Sequence, residues 1–326
     1  MIQVKSLKNY EIRKFMAFIK ENKKGHIFSK NKKVINFFYN YNKSKETNML
    51  SIIKNNEIIA AMGLIPYSNW SKQKNNKEIF IAFLFKSKKC LSTLSFYNYI
   101  FKKYNPNLLA AMNINPNTNG RIYNSISKLE NYHHYYIKNP KIKCKISRHL
   151  KNTKYKVKSN SDVKLIVSKK IVDLPQSIYN PKKNINYFNN KYIKNPFYKY
   201  SIINIYNGNK IVLFFIYKVI HKKNSKFARI VDAYGNLNLK KNISNLLIDF
   251  LIKNNLEFID FYFYSLKKIF ISKLGFTKIR KEFIPYYTEP FNKKNFKLNI
   301  SLIKNKPKNY VFYKGDGDGE RPFKIN

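Results

Sequence analysis

Acidic residues are scarce in this sequence: its 326 residues hold 17 Asp and Glu against 64 Lys and Arg, a formal net charge of +47. Glycine is nearly as rare, with nine, and there are only two cysteines. Cys90 and Cys144 make neither a disulfide framework nor a zinc site unaided, and they suit a reducing compartment. Long apolar runs are missing as well. The greasiest stretch, "IVLFFIYKVI" from Ile211 to Ile220, carries Lys218 and falls well short of the roughly 20 apolar residues of a spanning helix. The amino terminus, "MIQVKSLKNYEIRKFMAFIK", mixes charge through its apolar positions and has no small-residue cleavage site, which speaks against export. The expected location is the cytoplasm.

What is present is a hydrophobic fraction of 44%, enough for a sizeable core in each of about two domains. The cationic excess would ordinarily suggest nucleic acid or an anionic membrane surface. Lys, Asn, Ile, Tyr and Phe, all read from A/T-rich codons, crowd the whole chain, however, and the lysines are scattered rather than gathered on one arm. That pattern points to compositional drift and not to a specific nucleic-acid partner. A bias toward polyanions, including peripheral contact with an anionic membrane, remains as an alternative.

The same order of elements occurs twice, about 150 residues apart. "MLSIIKNNEIIAAMGLI" and "SIINIYNGNKIVLFFIY" each read as a hairpin, turning at Asn55-Asn56 and at Asn207-Gly208. A third strand follows in each, "EIFIAFLF" and "FARIVDAY". Next comes an amphipathic helix, with Leu94, Tyr97, Ile100, Phe101 and Tyr104 on one face in the first copy and Ile243, Leu246, Leu247, Phe250 and Leu251 in the second. A strand, a shorter helix and a further strand complete each copy. The fold class is therefore α/β (α+β), with two tandem units, each a mixed, mainly antiparallel sheet with helices on both faces. The expected boundaries are a first domain over 1–140, a linker over 141–162, a second domain over 163–310 and a Gly/Asp-rich tail over 311–326.

This order resembles the GNAT acyltransferase fold. The tandem layout is similar to that of Fem-type aminoacyltransferases and of acyltransferase-like proteins from bacterial surface-polysaccharide (lipopolysaccharide-type) clusters. The closer resemblance to the last group rests on "KKGHIFSKN" (Lys23 to Asn31), "GLIPYSNW" (Gly63 to Trp70), "NINPNTNGRIYNSI" (Asn113 to Ile126), "YHHYYIKNP" (Tyr132 to Pro140), "YIKNPFYKY" (Tyr192 to Tyr200) and "YKGDGDGERP" near the end. It implies an acyltransferase that moves an acyl group from acetyl-CoA or another acyl-CoA, without a metal, to an amino sugar or related amine in glycan assembly, the acceptor being free or nucleotide- or lipid-linked. A non-catalytic GNAT-like binding module is the alternative.

The resemblance also implies site residues. The donor's diphosphate would meet the loop "KSKKCLST", with Lys86, Lys88 and Lys89 as cations and Ser92 or Thr93 as helix cap, although the loop lacks the family's glycines. In the second copy that loop is "YGNLNLKKN". Tyr123 would protonate the departing thiolate and Asn115 would position the substrate; Tyr123 also reads as a core tyrosine. His26 and His134 are candidate bases, each equally readable as a hydrogen-bonded structural histidine. Asp232, in "IVDAYG", is an acid in an apolar strand and needs either a partner or a role, as does Asp260. Cys90 reads as a small core residue.

The tail "YVFYKGDGDGERPFKIN" places three of the nine glycines beside Asp316, Asp318 and Glu320. An EF-hand loop needs glycine at its sixth position, where Arg321 stands. The spacing thus excludes calcium and leaves a frayed end or a segment that turns sharply. In the second reading Asp316, Asp318 and Arg321 bind acceptor hydroxyls or neutralise lysines.

Overall fold

The computed structural model describes residues 2–72, 77–114, 120–151, 162–222, 224–239, 243–265, 271–284, 299–304 and 309–322. In chain order the first half gives β1 (Ile2–Lys8), α1 (Ile12–Asn22), α2 (Lys32–Tyr39), β2 (Glu46–Lys54), β3 (Glu57–Pro66), α3 (Ser68–Ser71), β4 (Glu78–Lys86), α4 (Leu94–Tyr104), β5 (Leu108–Ile114), α5 (Gly120–Ile126), β6 (Leu129–Asn131) and β7 (His133–Lys138). The second gives β8 (Val163–Ser168), α6 (Ile185–Phe188), β9 (Ser201–Asn207), β10 (Lys210–Lys222), β11 (Ser225–Gly235), α7 (Ser244–Lys253), β12 (Phe258–Ser265), β13 (Thr277–Lys278), β14 (Asn299–Lys304) and β15 (Val311–Tyr313).

Both hairpins form where the turn residues predict them. Asn55 and Asn56 take left-handed φ values of 50° and 62°, and Gly208 one of 59°. Among the described residues, one sheet runs β1-β2-β3-β4-β5-β14-β6 and the other β13-β7-β12-β11-β10-β9-β8. Each is antiparallel except at one pair: β4 runs parallel to β5 over Glu78↔Leu108 to Ile81↔Ala111, and β11 parallel to β12 over Ala228↔Ile259 to Ile230↔Phe261.

The two compact units comprise Met1–Glu130 with Asn299–Lys306 and Gly317–Asn326, and Asn131–Leu298 with Pro307–Asp316. The expected boundary at residue 140 and the expected separate tail therefore differ from the architecture. Strand β7, the last strand of the expected first domain, pairs with β12 in the second sheet, and β14, within the expected second domain, pairs with β5 in the first. Periodicity marks a strand but not the sheet edge it completes, which explains the difference.

In the first unit, Phe96, Tyr97 and Ile100 of α4 and Tyr123 of α5 pack on Ile52, Met62, Leu64, Ile79 and Ile81. Phe96 takes the core place expected for Leu94, which is exposed. The opposite face carries α1 and α2 on an aromatic layer, with Phe15, Phe28 and Tyr39 against Phe83. In the second unit, α7 packs Leu247, Ile248 and Leu251 on one face. The other is covered by α6 and the π-helical turn Asn189–Ile193, with Phe188 of α6 meeting Phe214 and Tyr234 edge to face.

Candidate functional site

In both units the parallel pairing stops partway, although both strands continue. Within the second unit the C-terminal segment takes up the vacated edge. Strand β15 pairs antiparallel with the far end of β12 (Phe263↔Tyr313, Tyr264↔Phe312, Ser265↔Val311), on the edge opposite β7. Beyond it the Gly315 N–H donates to the Val231 carbonyl of β11 at 2.7 Å. A side chain at Gly315 would sit 2.5 Å from the Tyr192 hydroxyl and 2.7 Å from that carbonyl, so the approach requires glycine.

Asp316 then enters a fully buried charge cluster. Lys183 Nζ donates to Asp232 Oδ1 (2.7 Å) and Oδ2 (2.9 Å) and to Asp316 Oδ1 (2.8 Å). The Tyr192 hydroxyl donates to Asp232 Oδ2 at 2.7 Å, and Tyr187 to Asp316 Oδ1 at 3.2 Å. The Tyr313 N–H donates to Asp316 Oδ2 at 2.8 Å. Burial pushes the Asp232 pKa up against the pull of Lys183, with Asp316 adding to the rise. Lys183, between two carboxylates, is held above the ordinary lysine value despite its burial. Asp232 is thus the strand acid that anchors the C-terminal segment, and Asp316 neutralises a lysine, one of the two duties expected for the tail.

From Gly317 on, the chain belongs to the first unit. Gly317, with φ of 57°, lies against Phe80 of β4. Asp318 Oδ2 accepts from the Tyr39 hydroxyl at 3.0 Å and is bridged by Arg321, whose guanidinium lies 4.7 Å from the centre of the Phe28 ring. The tail is therefore ordered and buried here. Its carboxylates are engaged by Lys183, Tyr187, Tyr39 and Arg321.

Around Asp318 stand two of the residues expected from sequence. Burial drives the Tyr123 pKa well above the usual tyrosine value, with the negative ends of Tyr97 and Asp318 adding to the rise. Tyr39 is raised well above it too, by burial first and Asp318 second. His26 is half-buried, and its Nδ1 accepts the Phe28 N–H at 3.2 Å, so the neutral ring carries its proton on Nε2. Burial, then Arg321 and Lys23, lower its pKa to about 4. His26 is accordingly a hydrogen-bond donor at neutral pH, where the sequence suggested a base. Asn115 lies outside the described residues.

His134 is placed apart, within the second sheet. Its Nε2 lies 3.0 Å from Asp260 Oδ2, its ring stacks at 3.6 Å on Tyr262, and Arg229 Nη2 donates to the same carboxylate at 2.7 Å. Burial lowers its pKa while Asp260 opposes the drop. This buried triad uses Asp260 to satisfy Arg229 and gives His134 a partner within the core.

The loop expected to hold a diphosphate leads from β4 into α4. Lys86 donates to the Cys90 carbonyl at 3.4 Å, and Lys89 pairs with Glu57 at 2.7 Å. Lys88 is exposed and has no partner among the described residues. Ser92 Oγ accepts the Leu94 N–H at 3.3 Å; Thr93 holds the N-cap position without a side-chain bond. Cys90 is buried, and burial raises its thiol pKa, as a core cysteine requires. The loop's own turn, Cys90 N–H to Ser87 carbonyl, does without glycine. Lys88, Ser92 and the first turn of α4 fit an anion by charge and by their free positions at a helix start.

Lys183, Tyr187 and Tyr39 were not singled out from sequence. A partial signal existed for the first: Asp232, an acid in an apolar strand, demands a buried cation, but nothing in the sequence says which lysine supplies it.

No protein-family model matches the sequence, and no curated protein matches it either. Solved structures do. A conserved Enterococcus faecalis protein of unknown function, described as a probable N-acyltransferase, is 8% identical with a TM-score of 0.50, over 93% of this chain and 73% of its own. A GCN5-related N-acetyltransferase from Anabaena variabilis is 8% identical with a TM-score of 0.49, over 93% and 73%. A tandem GNAT protein of the clavulanic acid pathway is 6% identical with a TM-score of 0.47, over 94% and 100%. At such identities the likeness concerns the fold alone: two units, each a mixed, mainly antiparallel sheet flanked by helices.

Proposed function

We propose that the protein is an acyltransferase that moves an acyl group from acetyl-CoA or another acyl-CoA to the amine of an amino sugar or a related amine, with the chemistry in the first unit. The observation that carries this reading is the asymmetry of the two parallel strand pairs. The vacated edge between β11 and β12 holds the chain's own C-terminal segment, whereas beside the β4–β5 pairing Gly317, next to Asp318, lies against Phe80 and Met112, and Tyr123 shares a core cluster with Ile81 and Ala111.

The residues of the first unit divide the work. Tyr123 keeps its proton at neutral pH and would be the group to give it to a departing thiolate, although burial makes it a weaker acid than an exposed tyrosine. Lys88, the Ser92 hydroxyl and the start of α4 would hold the donor's diphosphate; the acyl-CoA would bring the activated thioester. The acceptor attacks as its neutral amine: the N–C bond forms as the C–S bond breaks, the nitrogen sheds its proton to solvent, and Tyr123, after protonating the thiolate, regains a proton from solvent. Asp318, fixed by Tyr39 and Arg321, and His26, with an Nε2–H to offer, would hold and orient the acceptor's amine and hydroxyl groups. The amino-sugar class and a place in surface-glycan assembly, in the cytoplasm where acyl-CoA is available, rest on the resemblance of "KKGHIFSKN" and "YKGDGDGERP" to polysaccharide-cluster proteins.

The test is thiol release from acetyl-CoA in the presence of free and UDP-linked amino sugars. Release should require both substrates, and Tyr123→Phe should lower kcat by about 100-fold or more while leaving the melting temperature near that of the parent. No release with any acceptor would contradict the reading. A second reading, a binding module without a donor, is favoured by one observation: Lys86 and Lys89 are already turned onto Cys90 and Glu57. It predicts no acetyl-CoA binding.

A further inference from the structure

The duplication left a cleft at the same place in each unit. In the first, about 370 Å³ lies between α1, the opening residues of β3 (Glu57 to Ile59) and the loop after β4 (Ser87, Lys89). In the second, about 710 Å³ lies between the extended segment Asp173–Ile178, the opening residues of β10 (Lys210 to Val212) and the loop after β11 (Asn236, Asn238). The paired lining positions are again about 150 residues apart, as the repeat requires.

The two have diverged in chemistry. The first is lined by Lys14, Glu21, Glu57 and Lys89, and the Lys89–Glu57 ion pair satisfies two of these charges internally. The second has lost its helix to an extended segment. Three side-chain amides, Gln176, Asn236 and Asn238, line it beside a single anion, Asp173, and a single cation, Lys210. In a chain of charge +47, a large cleft whose described lining is neutral overall is not built for a polyanion.

We propose that this second cleft is a binding site for a neutral saccharide of about disaccharide size. Each amide offers both a donor and an acceptor, as sugar hydroxyls do, and those of Gln176 and Asn238 have no side-chain partner among the described residues. Leu174, Pro175, Ile178 and Val212 supply the apolar surface on which the C–H face of a pyranose rests. The cleft is also held in shape. The Asn236 N–H donates to the Val212 carbonyl at 2.8 Å, and Asn236 Oδ1 accepts the Asn238 N–H at 2.9 Å. At Gly235, with φ of 116°, a Cβ would meet Val212 O at 2.5 Å and Pro175 Cγ at 2.8 Å, so the wall segment packs directly on the loop backbone. The volume lies within the usual range for small-ligand sites, roughly 300–1,000 Å³. The site stands independently of the acyl-transfer reading, since none of its residues belongs to the first unit.

Saturation-transfer NMR on the full chain tests it, with maltose, lactose and N,N′-diacetylchitobiose as probes and inorganic pyrophosphate as competitor. At least one disaccharide should receive saturation with a Kd of about 0.1–10 mM. The Gln176→Ala/Asn238→Ala double variant, altered only at exposed positions, should weaken it roughly tenfold, and Lys210→Ala less than about twofold. No transfer to any of the three, transfer unchanged in the double variant, or displacement by pyrophosphate together with loss in Lys210→Ala would each overturn the proposal. None of these outcomes touches thiol release, so the two readings fail separately.

Discussion

The two units use one design with opposite endings. In the first, β4 and β5 part after Ile81 and Ala111, and the nearby tail residues are a carboxylate and a guanidinium held by Tyr39 and set over Phe28. In the second, β11 and β12 part after Ile230 and Phe261, and the edge is taken by Val311 to Gly315. A duplicated element thus takes up the C-terminal segment as an anchor in the second copy, and in the first it is the place to which the proposed chemistry is assigned. The anchor's strength lies in desolvated charge: two buried lysines, Lys183 and Lys191, balance Asp232 and Asp316, so loss of either carboxylate leaves a buried cation uncompensated.

Breaking the anchor should have the largest effect. Asp316→Ala leaves Lys183 with Asp232 alone and removes the acceptor of the Tyr313 N–H. Urea unfolding should show a loss of about 3–5 kcal/mol. Asp318→Asn, the matching change in the first unit, keeps a hydrogen-bond acceptor for Tyr39 and loses only the charge facing Arg321. It should cost roughly 1–2 kcal/mol in the same measurement while weakening acceptor use, seen as a raised KM. Equal losses from the two substitutions would erase the distinction between anchor and site.

The smallest effect concerns pH. His26 titrates near 4 in the fold against an ordinary value of 6.5, because burial disfavours its cation. A base with a lowered folded pKa contributes stability above its unfolded pKa, and that contribution is lost as pH falls from about 6.5 toward about 4. The melting temperature of the parent should therefore fall more steeply across this window than that of His26→Asn. Parallel curves would show that the ring is solvated and not part of the Phe28–Arg321 cluster.

Much of this was legible in the chain. The turn residues Asn55-Asn56 and Gly208, the helical faces from Tyr97 to Tyr104 and from Ile243 to Leu251, and the constant spacing of the copies follow from local chemistry, and the fold keeps them, with Phe96 in the core in place of Leu94. The glycines and aspartates of the tail left two readings open, a frayed end or a sharply turning segment, and the structure has the second. What stayed hidden is long-range. Lys183 lies 133 positions from Asp316, and Tyr39 lies 279 from Asp318. In a chain with 64 cations and 26 tyrosines, nothing local marks which one a carboxylate selects. The exchange of β7 and β14 between sheets was hidden for the same reason, since an alternating strand reads alike whichever edge it completes.

The central claim is that one unit receives the acyl donor and the other is closed by its own C-terminal segment. Isothermal titration of the full chain with acetyl-CoA tests it most directly. The account predicts one site per chain; a stoichiometry of two, or no binding at millimolar acetyl-CoA, would contradict it.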